Sequence, residues 1–330
     1  MGYRVLFALC LLPLLWLGKP SPLYAAEILI IESYHATHPW VISNSLGLNA
    51  RLAASHQLHF FYLNAKRLSA QQLTAQAELA WRYYLELKPS IVLLCDDNAI
   101  DLLAKRIAAA GPPVVYLGMN ANPRQNGLYG YHNITGVLER PMLKRNISEM
   151  SNMQGHVQKA LVLFDASPVS QTAVHEAFSG ETHWRIGKLQ VDIQLTNSYS
   201  QWQAAITQAR QQGYQQIFLG LYHTLRDAAD QPVDAEQALA WAGNSTTLPL
   251  YAFWDFSIGP GKCVGGLVLS GYEQGAATSE LVKQVLLGSP PESLPPRTAT
   301  RGEYLFSRQE MTRWQLTLPT KLTAPQVWRE

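Results

Sequence analysis

From Glu27 onward, short aliphatic runs alternate with longer stretches of helical pattern. In the first half this predicts strands at Ile28–Glu32, Leu58–Leu63, Ile91–Leu94, Val114–Leu117 and Ile134–Leu138, with helices at about 41–55, 69–87 and 97–110. Gly111-Pro112-Pro113 stops the last of these helices and starts the strand after it. Arg140-Pro141 follows the fifth strand, where proline suits the first turn of a new helix.

The second half repeats the scheme. Strands are predicted at Ala160–Phe164, Leu189–Ile193, Gln216–Leu221 and Leu250–Phe253, and helices near 168–178, 199–213 and 234–242. A strand at Gly266–Ser270 and a helix at 272–288 come next, then a proline-rich crossing at 290–296 and an extended piece at Tyr304–Phe306. A strand and helix placed after a complete second set predict a return to the first lobe. The expected fold class is α/β, with two Rossmann-like lobes built on parallel sheets flanked by helices.

A different pattern precedes these elements. Arg4 gives a short basic start, Val5 to Leu17 are apolar apart from Pro13, and Gly18 to Ala26 are small, polar or turn-forming, as in a secretory signal peptide. The run is short for a bilayer, which takes about 20 apolar residues. Residues 1–26 are therefore expected to be removed, leaving a periplasmic protein that starts near Glu27; an uncleaved anchor is the alternative. Phe7-Ala8-Leu9 lacks the small residues that precede a lipidated cysteine, so Cys10 does not mark a lipoprotein.

Arg4 and Lys19 leave with that segment, so the mature chain carries 24 basic and 24 acidic residues. Such a balance gives no electrostatic case for nucleic acid or an anionic membrane. About 300 remaining residues suggest two lobes of roughly 130–170 each. Cys95 and Cys263 are far apart, and Cys95 ends an apolar run, which predicts buried thiols in place of a bridge.

In open parallel sheets, ligands bind beyond the carboxyl ends of the strands, where helix N-termini converge. The candidates in the first lobe are Ser33, Tyr34, His35 and Trp40 after the first strand, Asp96, Asp97 and Asn98 after the third, and Gly118, Met119 and Asn120 after the fourth. Those in the second lobe are Ser167, Ser170, Tyr222, Trp254 and Asp255. Two rims of hydroxyls, carboxylates and aromatic rings suit a clamp over a small polar or aromatic molecule. The strand-end loops offer no basic residue, which argues against a highly charged anion.

Each candidate also has a plainer role. An aspartate at a helix start caps it, and tryptophans pack wherever they lie. His35 and His38 could share a metal, but no cysteine or paired-carboxylate motif accompanies them. The phosphate-binding loop, the His-Glu-x-x-His helix, the Gly-x-Ser-x-Gly elbow and the dinucleotide glycine motif are all missing from the sequence. The expectation is a binding protein without catalysis or cofactor. The rival from another class is a secreted hydrolase using Ser33, His35 and Asp97.

The run Ile28-Leu29-Ile30-Ile31-Glu32-Ser33-Tyr34-His35, followed by Pro39-Trp40, resembles the opening of periplasmic solute-binding proteins of the tryptophan/tyrosine ABC-transporter type. Leu94-Cys95-Asp96-Asp97-Asn98-Ala99, Asn133-Ile134-Thr135-Gly136-Val137, Trp254-Asp255-Phe256 and Gly265-Gly266 follow in the matching order. The resemblance implies the type I periplasmic binding protein fold, whose lobes are joined by three crossings, here expected near Glu139, Cys263 and Ser289. The lobes would then be 27–138 with 264–289, and 139–263 with 290–330. It further implies a monomer that closes on an amino-acid-like or aromatic ligand and delivers it to an ABC importer, the permease being its partner. Relatives that serve as sensor modules make a membrane sensor kinase or cyclase the alternative partner.

Overall fold

The computed structural model of the protein describes residues 25–299, 302–318 and 328–330. The signal-peptide reading therefore lies outside the described residues, except for Ala25 and Ala26. The first lobe begins with β1 (Glu27–Glu32), α1 (Pro39–Leu52), β2 (Gln57–Tyr62), α2 (Ala70–Leu87), β3 (Ile91–Cys95), α3 (Asp96–Ala109), β4 (Val114–Met119) and β5 (Ile134–Leu138). The second lobe holds α4 (Leu143–Gln154), β6 (Lys159–Phe164), α5 (Pro168–Phe178), β7 (His183–Ile186), β8 (Leu189–Leu195), α6 (Tyr199–Gln208), β9 (Gln216–Leu219), α7 (Ala235–Ser245), β10 (Leu250–Ala252) and β11 (Gly265–Val268). Next come α8 (Gly271–Leu286) and β12 (Arg297–Thr298), then β13 (Glu303–Ser307), α9 (Arg308–Arg313) and β14 (Trp328–Arg329).

The first sheet has the order β12-β5-β4-β3-β1-β2 and is parallel throughout. Its strands read as unbroken aliphatic runs because helices cover both faces. Ile28 and Ile30 of β1 pack with Leu48, Leu281 and Val282 on one side. Leu29 and Ile31 pack with Ala99, Leu103 and Ile107 on the other.

The second sheet has the order β14-β13-β11-β10-β9-β6-β8-β7. Within it β8-β6-β9-β10-β11 is parallel, while β13 runs antiparallel to β11 and parallel to β14, and β7 runs antiparallel to β8. Each lobe thus has the strand order second, first, third, fourth, fifth.

The late strand differs from its sequence expectation. β11 pairs with β10 and β13 in the second sheet, and only the helix after it, α8, returns to lie on α1 of the first lobe. In exchange, the chain leaves β5 for α4, whose Asn146 side chain donates to Ala252 O (2.7 Å) and accepts from Leu267 N (3.0 Å). The lobes therefore trade their last helices. The crossings fall at Glu139, after Val268, and between Thr298 and Glu303, so the expected boundaries at Cys263 and Ser289 are displaced. A lone aliphatic strand carries no label for which sheet it will join.

Cys95 and Cys263 are both buried and free. Among the described residues, no helix is long and apolar enough to cross a membrane.

Candidate ligand-binding site

The strand order places a switch point in each sheet, between β1 and β3 in the first and between β6 and β9 in the second. Loops leaving such neighbours diverge and open a crevice. The two crevices face each other. The first lobe contributes Tyr34, His38, Trp40, Lys66 and Asp96, with Glu139 from the first crossing, and the second contributes Val169, Leu221, Trp254 and Phe256. The space left between them is about 20 Å³, room for a single water. The cleft is closed, and Tyr34, Trp40 and Val41 join the hydrophobic core of the second lobe.

Local sequence aims these side chains. Pro39 starts α1 and His38 caps it, accepting from Trp40 N at 3.3 Å, which turns the Trp40 ring into the cleft. Trp40 Nε1 donates to Asp96 Oδ1 at 2.9 Å. Asp96 begins α3 with a left-handed φ of 64°, a conformation aspartate tolerates better than most residues. From the second lobe, Trp254 Nε1 donates to Glu139 Oε1 at 2.8 Å, and Asn120 Nδ2 donates to Glu139 Oε2 at 3.0 Å. Two indoles from opposite lobes thus meet two buried carboxyl groups. Asp96 Oδ2 is buried with no partner.

The electrostatics follow from burial. Loss of water raises the Asp96 carboxyl well above its ordinary range, helped by Glu139 and Glu32. Burial lifts Glu139 to about 7 and Glu32, both of whose oxygens lack partners, to about 8. It depresses the adjoining imidazoles His38 and His223, whose rings are tilted by 36°, the latter to about 3, so both are neutral. Burial alone would raise Asp165 as well, but the Lys66 charge and hydrogen bonds from Ser170 and Ser167 hold it low.

The other sequence candidates are committed elsewhere. Ser33 Oγ donates to Cys95 O (2.6 Å) and accepts from Ala99 N (2.8 Å), bracing the start of α3. Asp97 accepts from Asn120 N, Asn120 Nδ2 and Ala121 N, bracing the end of β4. His35 bonds Thr37 and faces an outer groove of about 980 Å³ that Thr37, Ser43, Arg67 and Asp255 also line. No hydrogen bond joins Ser33, His35 and Asp97. Ser167 and Ser170 both donate to Asp165 Oδ1, at 2.7 and 2.5 Å. Tyr222 pairs with Ser257 and stacks on His223. Asp255 accepts from Ser43 Oγ at 3.2 Å, a bond between the lobes.

Met119 is buried, and its carbonyl accepts from Arg140. Gly118 adopts a φ of 71° and leaves space for Asp96. Asn98 lies half-buried on α3. Among the described residues, no group of three or more metal-ligating side chains assembles, around His35 and His38 or elsewhere.

His38, Val169, Leu221 and Phe256 belong to the strand-end runs that the sequence marks, whereas Lys66 was not expected at the cleft and Glu139 was expected only as a crossing. Lys66 also corrects the expectation that no basic residue reaches the rim. It lies in the loop just after β2, and its ammonium sits 4.8 Å from the centre of the Tyr34 ring. The signal for it is the loop following the second strand, a strand end like those that carry the other cleft residues.

The sequence matches no protein-family model and no curated protein. Solved structures do resemble it. An ABC domain in complex with L-Trp from Streptococcus pneumonia superposes with a TM-score of 0.67 at 16% identity, covering 92% of this chain and 99% of that one. A substrate binding protein with adhesive properties from Clostridium difficile, in its ligand-free open form, gives 0.61 at 12%, covering 93% and 99%. A LacI transcriptional regulator from Lactobacillus brevis gives 0.54 at 14%, covering 84% and 99%. The fold is that of a type I periplasmic binding protein. Binding proteins and regulators both use this fold, so the reading of function rests on the cleft.

Proposed function

We propose that the chain is an extracytoplasmic solute-binding protein that closes on a small amino-acid-like or aromatic ligand and delivers it to an ABC importer. The observation that carries this reading is the pair of indoles, Trp40 and Trp254, brought from opposite lobes onto Asp96 and Glu139 around one small cavity. A ligand there would touch both lobes. Only a ligand that contacts both favours the closed form over the open one, and the change in outer surface is what a permease would read. One chain supplies both walls, in keeping with a monomer. Export by the segment at residues 1–26 belongs to the same reading.

A thermal-shift screen of amino acids, aromatic amines, purines and sugars tests the proposal. A ligand at 100 times its Kd stabilises the folded form by about 2.7 kcal/mol, so a true ligand raises Tm by several degrees and compacts the protein in solution scattering. If no class shifts Tm or alters the scattering, the reading is refuted.

A further inference from the structure

We propose that the cleft is selective for an organic cation, a protonated amine on a flat aromatic or apolar body without a carboxylate, and that the Lys66 ammonium on the Tyr34 ring occupies the amine's place. This rests on the solute-binding reading above.

The first observation is a missing donor. Glu139 has both oxygens matched, by Trp254 and Asn120, and Asp96 Oδ1 is matched by Trp40. Asp96 Oδ2 alone is left, on a residue that lines the cavity and is 1% exposed. A buried carboxyl oxygen without a partner is costly, and an ammonium satisfies it with a charge-assisted bond. Burial, with Glu139, Glu32 and Asp97, raises the Asp96 carboxyl against the bond from Trp40, and an ammonium on Oδ2 would favour its charged form.

The second observation is independent of the acids. Lys66 places its ammonium on the Tyr34 ring and lines the cavity, yet among the described residues it makes no ion pair. In the aromatic wall of Tyr34, Trp40, Trp254 and Phe256, the Tyr34 face thus already hosts a cation, tethered to the chain. Cations are drawn to such faces, more strongly when desolvated.

The third concerns what a carboxylate would meet. Arg140 donates to the carbonyls of Met119, Asn120, Glu139 and Ala121. His38 and His223 are neutral. Lys66 is the one positive group on the cavity wall, against two carboxyl groups, so a ligand carboxylate would lie among acids.

The test is calorimetric titration of the whole secreted protein with matched trios: tryptamine, tryptophan and indole-3-acetate, then tyramine, tyrosine and 4-hydroxyphenylacetate. The amine of each trio is expected to bind at least about tenfold tighter than the amino acid, and the acid not to bind. Asp96→Asn should weaken the amine by about a hundredfold. Lys66→Met, at a half-buried position that tolerates the change, should tighten it by roughly threefold to tenfold by removing the tethered competitor. A role for Lys66 in holding a ligand carboxylate predicts the reverse. If the amino acid matches or exceeds the amine, or Lys66→Met weakens the binding of a trio member, the cation assignment falls and the solute-binding reading stands. Binding only of sugars or purines has the same consequence. If no ligand of any class binds and scattering shows no closure, both fall.

Discussion

Gly118 and Asp96 make sense only as a pair. A Cβ on Gly118 would lie 2.8 Å from Asp96 Oδ1, and its φ of 71° already excludes most side chains. Gly118→Ala is therefore expected to cost about 1–3 kcal/mol of stability and to abolish ligand binding by displacing the Asp96 carboxyl; denaturant titration and calorimetry read the two effects. Glu32 gives a test against pH. Its carboxyl is raised from 4.5 to about 8 by burial, so the folded state holds a proton that the unfolded chain gives up. Stability linked to this group is complete below about pH 4.5 and is lost as pH rises to about 8, a total on the order of 5 kcal/mol. Glu32→Gln should remove that slope, becoming the more stable protein at pH 9; equal pH profiles for the two would exclude a protonated Glu32. The residue scale also shows why Asp96 and Asp97 could not be told apart in sequence. Both follow an apolar run at a helix start, and only the position of Asn120 and Ala121, more than 20 residues on, makes Asp97 the brace and leaves Asp96 open.

Among elements, those with local causes were legible. β3 and β4 stand out as aliphatic runs because both of their faces are covered, and the Gly111-Pro112-Pro113 stop lies between α3 and β4 as expected. α5 carries its own start, with Ser167 as cap accepting from Ser170 N and Pro168 in the first turn. The β7–β8 hairpin was not legible, because the edge strand His183–Ile186 alternates exposed and half-buried residues and lacks an aliphatic run. Its stability centres on Asp192. Burial would raise this carboxyl, but bonds from His183, Gln190, Tyr214 and Lys159 outweigh that and hold it at about 2. The interaction is fully present above about pH 4 and is lost as pH falls through 2. Asp192→Asn should thus cost on the order of 2 kcal/mol at pH 7, a difference that shrinks toward pH 2 in urea titrations. The contact between α1 and α8 depends on small residues that no periodicity reveals: a Cβ on Gly47 would overlap Tyr272 O, and one on Gly275 would overlap Asn44 O.

For the molecule as a whole, closure is held by few bonds across the cleft. Trp254 is 1% exposed and reaches from the second lobe to Glu139 at the first crossing. Trp254→Ala should enlarge the radius of gyration of the ligand-free protein in scattering, weaken ligand binding at least about tenfold, and cost about 3 kcal/mol in stability. An unchanged radius would mean that the closed state does not depend on this indole.

Burial periodicity along the chain was enough to determine the α/β class, the two lobes, and the gathering of polar and aromatic side chains at strand ends, because each of these is a relation between near neighbours. The tertiary structure alone decided that β11 joins the second sheet while α8 returns to the first, that Asp97 is a brace, and that Lys66 and Glu139 reach the cleft. Those outcomes depend on pairings between segments tens to hundreds of residues apart, and the free energy that selects among them resides in contacts no local pattern encodes.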